Sequence, residues 1–120
     1  MTARTREIAC MSSSNLAVLP DELAARSLSK QDVVMRRDDA LAALDHLGRA
    51  GMRIESWEGW VRLADGTRTK SLMHQGSFAL PLDAAASITT AREMLSEAQR
   101  RWDRAPEYPG GELYFKLTIV

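Results

Sequence analysis

Ile54-Glu55-Ser56-Trp57-Glu58-Gly59-Trp60-Val61-Arg62-Leu63 runs straight into Ala64-Asp65-Gly66, and the reading of this stretch decides the architecture of the chain. Met52 and Ile54 put apolar side chains on even positions, whereas Trp57, Val61 and Leu63 put them on odd ones. Side chains alternate across a strand with period two, so the change of phase demands an extra residue, and Gly59 is the natural place for a bulge. A bulge re-aims side chains, so Trp57 and Trp60 are not equivalent: one is expected in the core and the other at a surface. Asp65-Gly66 is a favoured hairpin turn, which predicts a partner strand from Thr67 to Met73 or a little beyond. Arg68 and Lys70 there alternate with Thr67, Thr69 and Ser71, a pattern that suits an exposed edge.

Towards the amino terminus, Ala40, Leu41, Leu44 and Leu47 line one face of a helix, with Asp38 or Asp39 as N-cap and Gly48 and Gly51 closing it. The spacing predicts a helix over 39–50. Before it, Asp32-Val33-Val34-Met35 is a short candidate strand, and Pro20-Asp21-Glu22-Leu23 a candidate helical turn in a connecting stretch. Residues 1–15, with Ser12-Ser13-Ser14-Asn15, read as a flexible tail ahead of one domain over 16–120; Met11 is a second candidate start.

Towards the carboxy terminus, Gln75 to Leu82 reads as a loop or irregular strand end closed by Pro81, which leaves His74 in a loop. Asp83 or Ser87 then caps a helix carrying Ile88, Ala91, Leu95, Ala98 and Trp102 on its apolar stripe; Thr90 and Glu93 offer a capping box a turn later. Glu97 and Arg101 form an i, i+4 pair on its wet face. Pro106, Pro109, Gly110 and Gly111 end it, and Leu113, Phe115, Leu117 and Ile119 alternate against Tyr114, Lys116 and Thr118 as a strand with one side in the core. The expectation is an α+β domain: a mostly antiparallel four-stranded sheet with two helices on one face, with the split βαβ (ferredoxin-like) order as one option.

At 120 residues, 45% hydrophobic and 27% charged, the chain is long enough for one core and has the balance of a globular protein. Sixteen basic and sixteen acidic residues give a formal net charge of zero, which removes the bulk electrostatic case for nucleic acid or anionic membrane. Cys10 is the only cysteine, so no disulfide framework or thiolate zinc site can form within one chain. The first residues lack the apolar run of a secretory signal, and no stretch approaches the ~20 apolar residues of a membrane span. A cytoplasmic protein is expected.

No catalytic or metal constellation emerges. His46 and His74 lack ligand partners at metal spacing, the serine run has no nucleophile elbow, and Gly48-Arg49-Ala50-Gly51 ends a helix instead of starting one. Glu55 and Glu58 with Asp65 as paired carboxylates, or Glu55 or Glu58 with His74, are the arrangements an enzyme could use, and Glu55 and Glu58 point to opposite faces of a regular strand. Neither enzyme activity nor a cofactor is expected. Trp57 and Trp60 allow core packing or an interface anchor, while Trp102 reads as core. Flanking by Glu55 and Glu58 disfavours stacking on single-stranded nucleic acid.

Arg36-Arg37-Asp38-Asp39-Ala40-Leu41-Ala42-Ala43-Leu44-Asp45, then Gly51-Met52-Arg53-Ile54, the Trp57 to Gly66 strand and turn, the Ile88 to Trp102 helix and the Leu113 to Val120 strand resemble a known family. It is that of the immunity proteins of bacterial polymorphic toxin systems, the group numbered forty. The resemblance covers residues 28 to 120, and the stretch from His74 to Ala86 departs from the aromatic, charged loop of that family. It implies a cytosolic protein of bacterial competition that binds a cognate toxin domain encoded nearby and blocks it without catalysis. The surface expected to do so is Trp57, Glu58 and Trp60 with Asp65 and His74, its acidic members facing a basic cleft. The alternative is an intracellular binding or regulatory domain that acts as a homodimer through an edge strand.

Overall fold

The structure, a computed structural model, describes residues 16–77 and 83–119. The expectations for the tail, Cys10, Met11, the serine run and the Pro81 end of the loop fall outside these residues. The element order is α1 (Asp21–Ala24), β1 (Val33–Met35), α2 (Arg37–Arg49), β2 (Ile54–Arg62), β3 (Arg68–Ser77), α3 (Ala84–Arg104) and β4 (Glu112–Ile119). The strands form one antiparallel sheet in the order β1-β4-β2-β3. It is an α+β fold.

Each helix is set by local chemistry. Asp83 caps α3 by accepting from Ala86 N at 2.7 Å. Ser87, the other candidate cap, is used elsewhere: its Oγ accepts from Ile54 N at 3.0 Å and donates to Ala84 O at 2.9 Å, tying the start of α3 to the start of β2. α2 begins two residues earlier than expected, with Arg36 as N-cap and Asp38 and Asp39 in the first turn, where they complement the helix dipole. It ends in a Schellman motif, with Met52 N bonded to Leu47 O at 2.9 Å and Gly51 N to Gly48 O at 3.1 Å. Gly51 supplies the required positive φ of 74°. On α3, Glu97 pairs with Arg100 at 2.7 Å, not with Arg101.

Both helices bury their stripes against one face of the sheet. Ala40, Leu44 and Leu47 of α2 and Ala91, Leu95 and Trp102 of α3 share a core with Ile54, Trp57, Val61, Leu113, Phe115 and Leu117. Each such side chain removed from water contributes about 1.5–3 kcal/mol before conformational entropy is counted. Leu19 and Leu23 join this core, so the connecting stretch is part of the fold.

Both crossovers are split βαβ units. β4 lies between β1 and β2, and β2 lies between β3 and β4. The ferredoxin-like order would put the first and third strands inside, and here the fourth and second are inside instead. The reason is composition: β4 buries Leu113, Phe115 and Leu117 on the helix side and Tyr114 on the other. A three-residue β1 and a polar β3 suit the edges.

The phase change in β2 is real, but its position is not Gly59. Ile54 pairs with Ile119 and Ser56 with Thr118, so Glu55 is the extra residue against β4. Gly59 stays in register opposite Phe115. It remains glycine for another reason: across the hairpin, Trp60 pairs with Lys70 and Glu58 with Gln75, so Ser71-Leu72-Met73-His74 all lie opposite Gly59. A Cβ there would lie 2.9 Å from the His74 carbonyl oxygen and 3.2 Å from the Ser71 Cβ. The large bulge is therefore in β3, and His74 lies within that strand instead of in a loop.

Candidate functional site

The face of the sheet away from the helices is assembled by register. Val34, Lys116, Glu58 and Gln75 form one row, Tyr114, Trp60 and Lys70 the next, and Glu112, Arg62 and Arg68 a third. Trp60 is half-buried at the centre of this face. Its indole N–H donates to Glu58 Oε1 at 2.9 Å, and Glu58 Oε2 lies 3.6 Å from Lys70 Nζ. Glu58 thus holds the ring of Trp60 in place and is itself neutralised. Beside the ring lies a hollow of about 170 Å³ lined by Leu28, Asp32, Val34, Arg68 and Lys116 among others. Arg36 lies 5.8 Å from the Tyr114 ring centroid and bonds Glu112 at 3.0 Å.

Of the five residues expected at a binding surface, the structure brings Glu58 and Trp60 together on this open face. Asp65 is in the adjoining hairpin turn, where Oδ1 accepts from Thr67 N at 2.8 Å. That hydrogen bond holds its carboxyl below the usual range. Trp57 and His74 are elsewhere. Trp57 is 3% exposed in the helix-side core, its ring 5.7 Å from that of Phe115. This assigns the two tryptophans: Trp57 is core and Trp60 is the displayed one. His74 is 4% exposed, edge-on to Trp102 at 6.1 Å. The sheet therefore separates His74 from Glu58, and Glu55 is exposed at its own bulge.

The charge of the open face differs from the acidic surface expected. Arg36, Arg62, Arg68, Lys70 and Lys116 stand against Glu58, Glu112 and Asp32, and Glu58 is already engaged. A surface of this kind complements carboxylates. Comparison with family models, curated proteins and solved structures finds no match to this chain. What the site can do therefore rests on its own geometry.

The β3 bulge is a second feature of note. Ser71 Oγ donates to Glu107 Oε1 at 2.6 Å and accepts from His74 N at 3.1 Å and Met73 N at 3.3 Å. Glu107 Oε2 accepts from Leu72 N at 3.3 Å. His74 is pushed down from its ordinary pKa mainly by burial and also by Arg101, with Glu107 opposing. Its Nδ1 has no hydrogen-bond partner among the described residues. The Ser71 and Glu107 side chains meet here with the backbone of His74, and the serine bonds the carboxylate directly and is fully buried, which makes this a brace for the bulge.

The sequence reading missed Leu72 and Met73, which are 76% and 70% exposed. The signal was present: two adjacent large apolar residues cannot both face the core of an alternating strand. Glu107 carries no local signal, because its role arises only when the α3–β4 linker folds beside β3. No helix among the described residues is long and apolar enough to cross a membrane.

Proposed function

We propose that the chain is an immunity protein, a non-catalytic inhibitor that covers a toxin domain encoded nearby with the open face of its sheet. The toxin identity comes from the sequence resemblance. The observation that carries the binding surface is Trp60: a large aromatic half-exposed at the centre of a face without helices, its orientation fixed by Glu58. Tryptophan held this way loses little freedom on binding and is the commonest kind of interface anchor. The surrounding cations direct this face to an acidic patch on the toxin, beside its active cleft or over it. An interface of standard size would bury ~1,600 Å² in total.

The test is calorimetric titration of the purified chain with the toxin domain of the neighbouring reading frame. Trp60→Ala should weaken binding by about 2 kcal/mol, roughly thirtyfold, in a protein that still melts cooperatively. Undiminished affinity in a folded Trp60→Ala, Glu58→Ala double variant would remove this surface. An edge-strand homodimer is the weaker reading. The bulge leaves only Arg68–Lys70 and Gln75–Ser77 of β3 regular, and β1 has three residues. Sedimentation distinguishes the two, since a monomer that becomes a one-to-one complex supports inhibition.

A further inference from the structure

We infer that the β3 bulge is a second docking site, a rigid knuckle whose Leu72 and Met73 enter an apolar socket rimmed by carboxylates on a partner protein. This concerns the outer edge of the sheet and does not depend on the Trp60 reading. Leu72 and Met73 are the exposed large hydrophobic residues among those described. Adjacent on one bulge and both exposed, they offer apolar surface to a partner.

The bulge is held, not slack. Ser71 and Glu107 together bond the backbone N–H groups of Leu72, Met73 and His74, and Gly59 lets the His74 backbone approach closely. The ordering cost of presenting the two side chains is thereby met before any partner arrives.

Charge indicates the occupant. Met73 and His74 line a hollow of about 270 Å³ with Arg101, Arg104 and Ala105. Neither arginine has an ion pair among the described residues, and Glu107, bonded only by the neutral Ser71 hydroxyl and Leu72 N–H, keeps its charge, so two cations stand against one anion. The rim is cationic, so a complementary partner supplies carboxylates around its socket. A second copy meeting this patch across a two-fold axis would oppose arginine to arginine. Two apolar side chains also insert too little for stable attachment to a lipid surface, where even one myristoyl chain is marginal.

Random peptides displayed on phage, selected on the immobilised full chain, provide the probe. Selected sequences should combine Asp or Glu with large apolar residues, and synthetic copies should bind about tenfold or more weakly to the Leu72→Ser, Met73→Ser double variant. Trp60→Ala should bind them as the parent does, which separates this site from the open face. Arg101→Glu with Arg104→Glu should reject the acidic peptides and select basic ones. All four altered side chains are exposed, so melting curves should stay close to the parent's. Peptides that bind the Leu72→Ser, Met73→Ser variant undiminished, or a selection yielding none sensitive to it, overturn the proposal. So does a parent dimer that this variant turns into a monomer. Sedimentation of the parent, but not the variant, with vesicles containing phosphatidylserine would assign the knuckle to membranes instead.

Discussion

At the scale of single residues, the two tryptophans of β2 divide the work between folding and display. Trp57 fills the space between Phe115, Gly76 and Met94, where a Cβ on Gly76 would come within 2.5 Å of its ring nitrogen. Trp57→Ala should therefore cost about 3–5 kcal/mol in denaturant unfolding. Trp60→Ala should cost less, about 1–2 kcal/mol, because its ring is only partly buried and its one bond is to the partly buried Glu58. His74 makes stability depend on pH in a defined direction. Unfolded, it takes a proton near the ordinary histidine value of 6.5; folded, burial holds it neutral to lower pH. Between those two values the unfolded chain binds more protons, so stability is full above that range and falls as the pH drops through it. Thermal melts from about pH 7 to about pH 5 should show the decline, and His74→Phe should flatten it.

At the scale of elements, periodicity was the dependable guide and long-range pairing was not. The helices, the hairpin turn and the alternation of β4 were legible because each depends on neighbours within a few residues. The two phases of β2 were legible as well. The switch of phase precedes Trp57, since Trp57 and Val61 share one phase, whereas the irregularity expected at Gly59 is present there against β3, with the extra residues on the β3 side. The reason for the glycine lies in β3, whose four opposing residues crowd it from a distant part of the sequence. The same limit applies to the candidate site: Trp60 and Glu58 are two residues apart and were found, whereas their neighbours Lys70, Tyr114 and Lys116 arrive by strand pairing. Glu107 is the clearest case of an unreadable contribution. Its replacement by Ala removes the acceptor for Ser71 Oγ and Leu72 N and should cost about 1–3 kcal/mol. Amide exchange should accelerate at Leu72, Met73 and His74 ahead of the rest of β3.

At the scale of the whole molecule, one face of the sheet is devoted to the core and the other to solvent. The helices and most of the buried side chains occupy the first; Trp60, its hollow, the buried Val34 and Tyr114 and a surplus of cations occupy the second. The proposed surfaces lie on that open face and at the β3 edge, so either can change without repacking the core. Strand order has a different effect, on the timing of folding. β1 and β2 have no bond to each other and are joined only through β4, the last of the described strands. While the polypeptide is being made, the β2–β3 hairpin and the two long helices can form before β4 is available, but β1 has no strand to pair with until residues after 111 emerge. Closure then comes late, through contacts far apart in sequence, which slows the search. A fragment ending at residue 111 should show no cooperative melt, and adding the missing strand as a separate peptide should restore one.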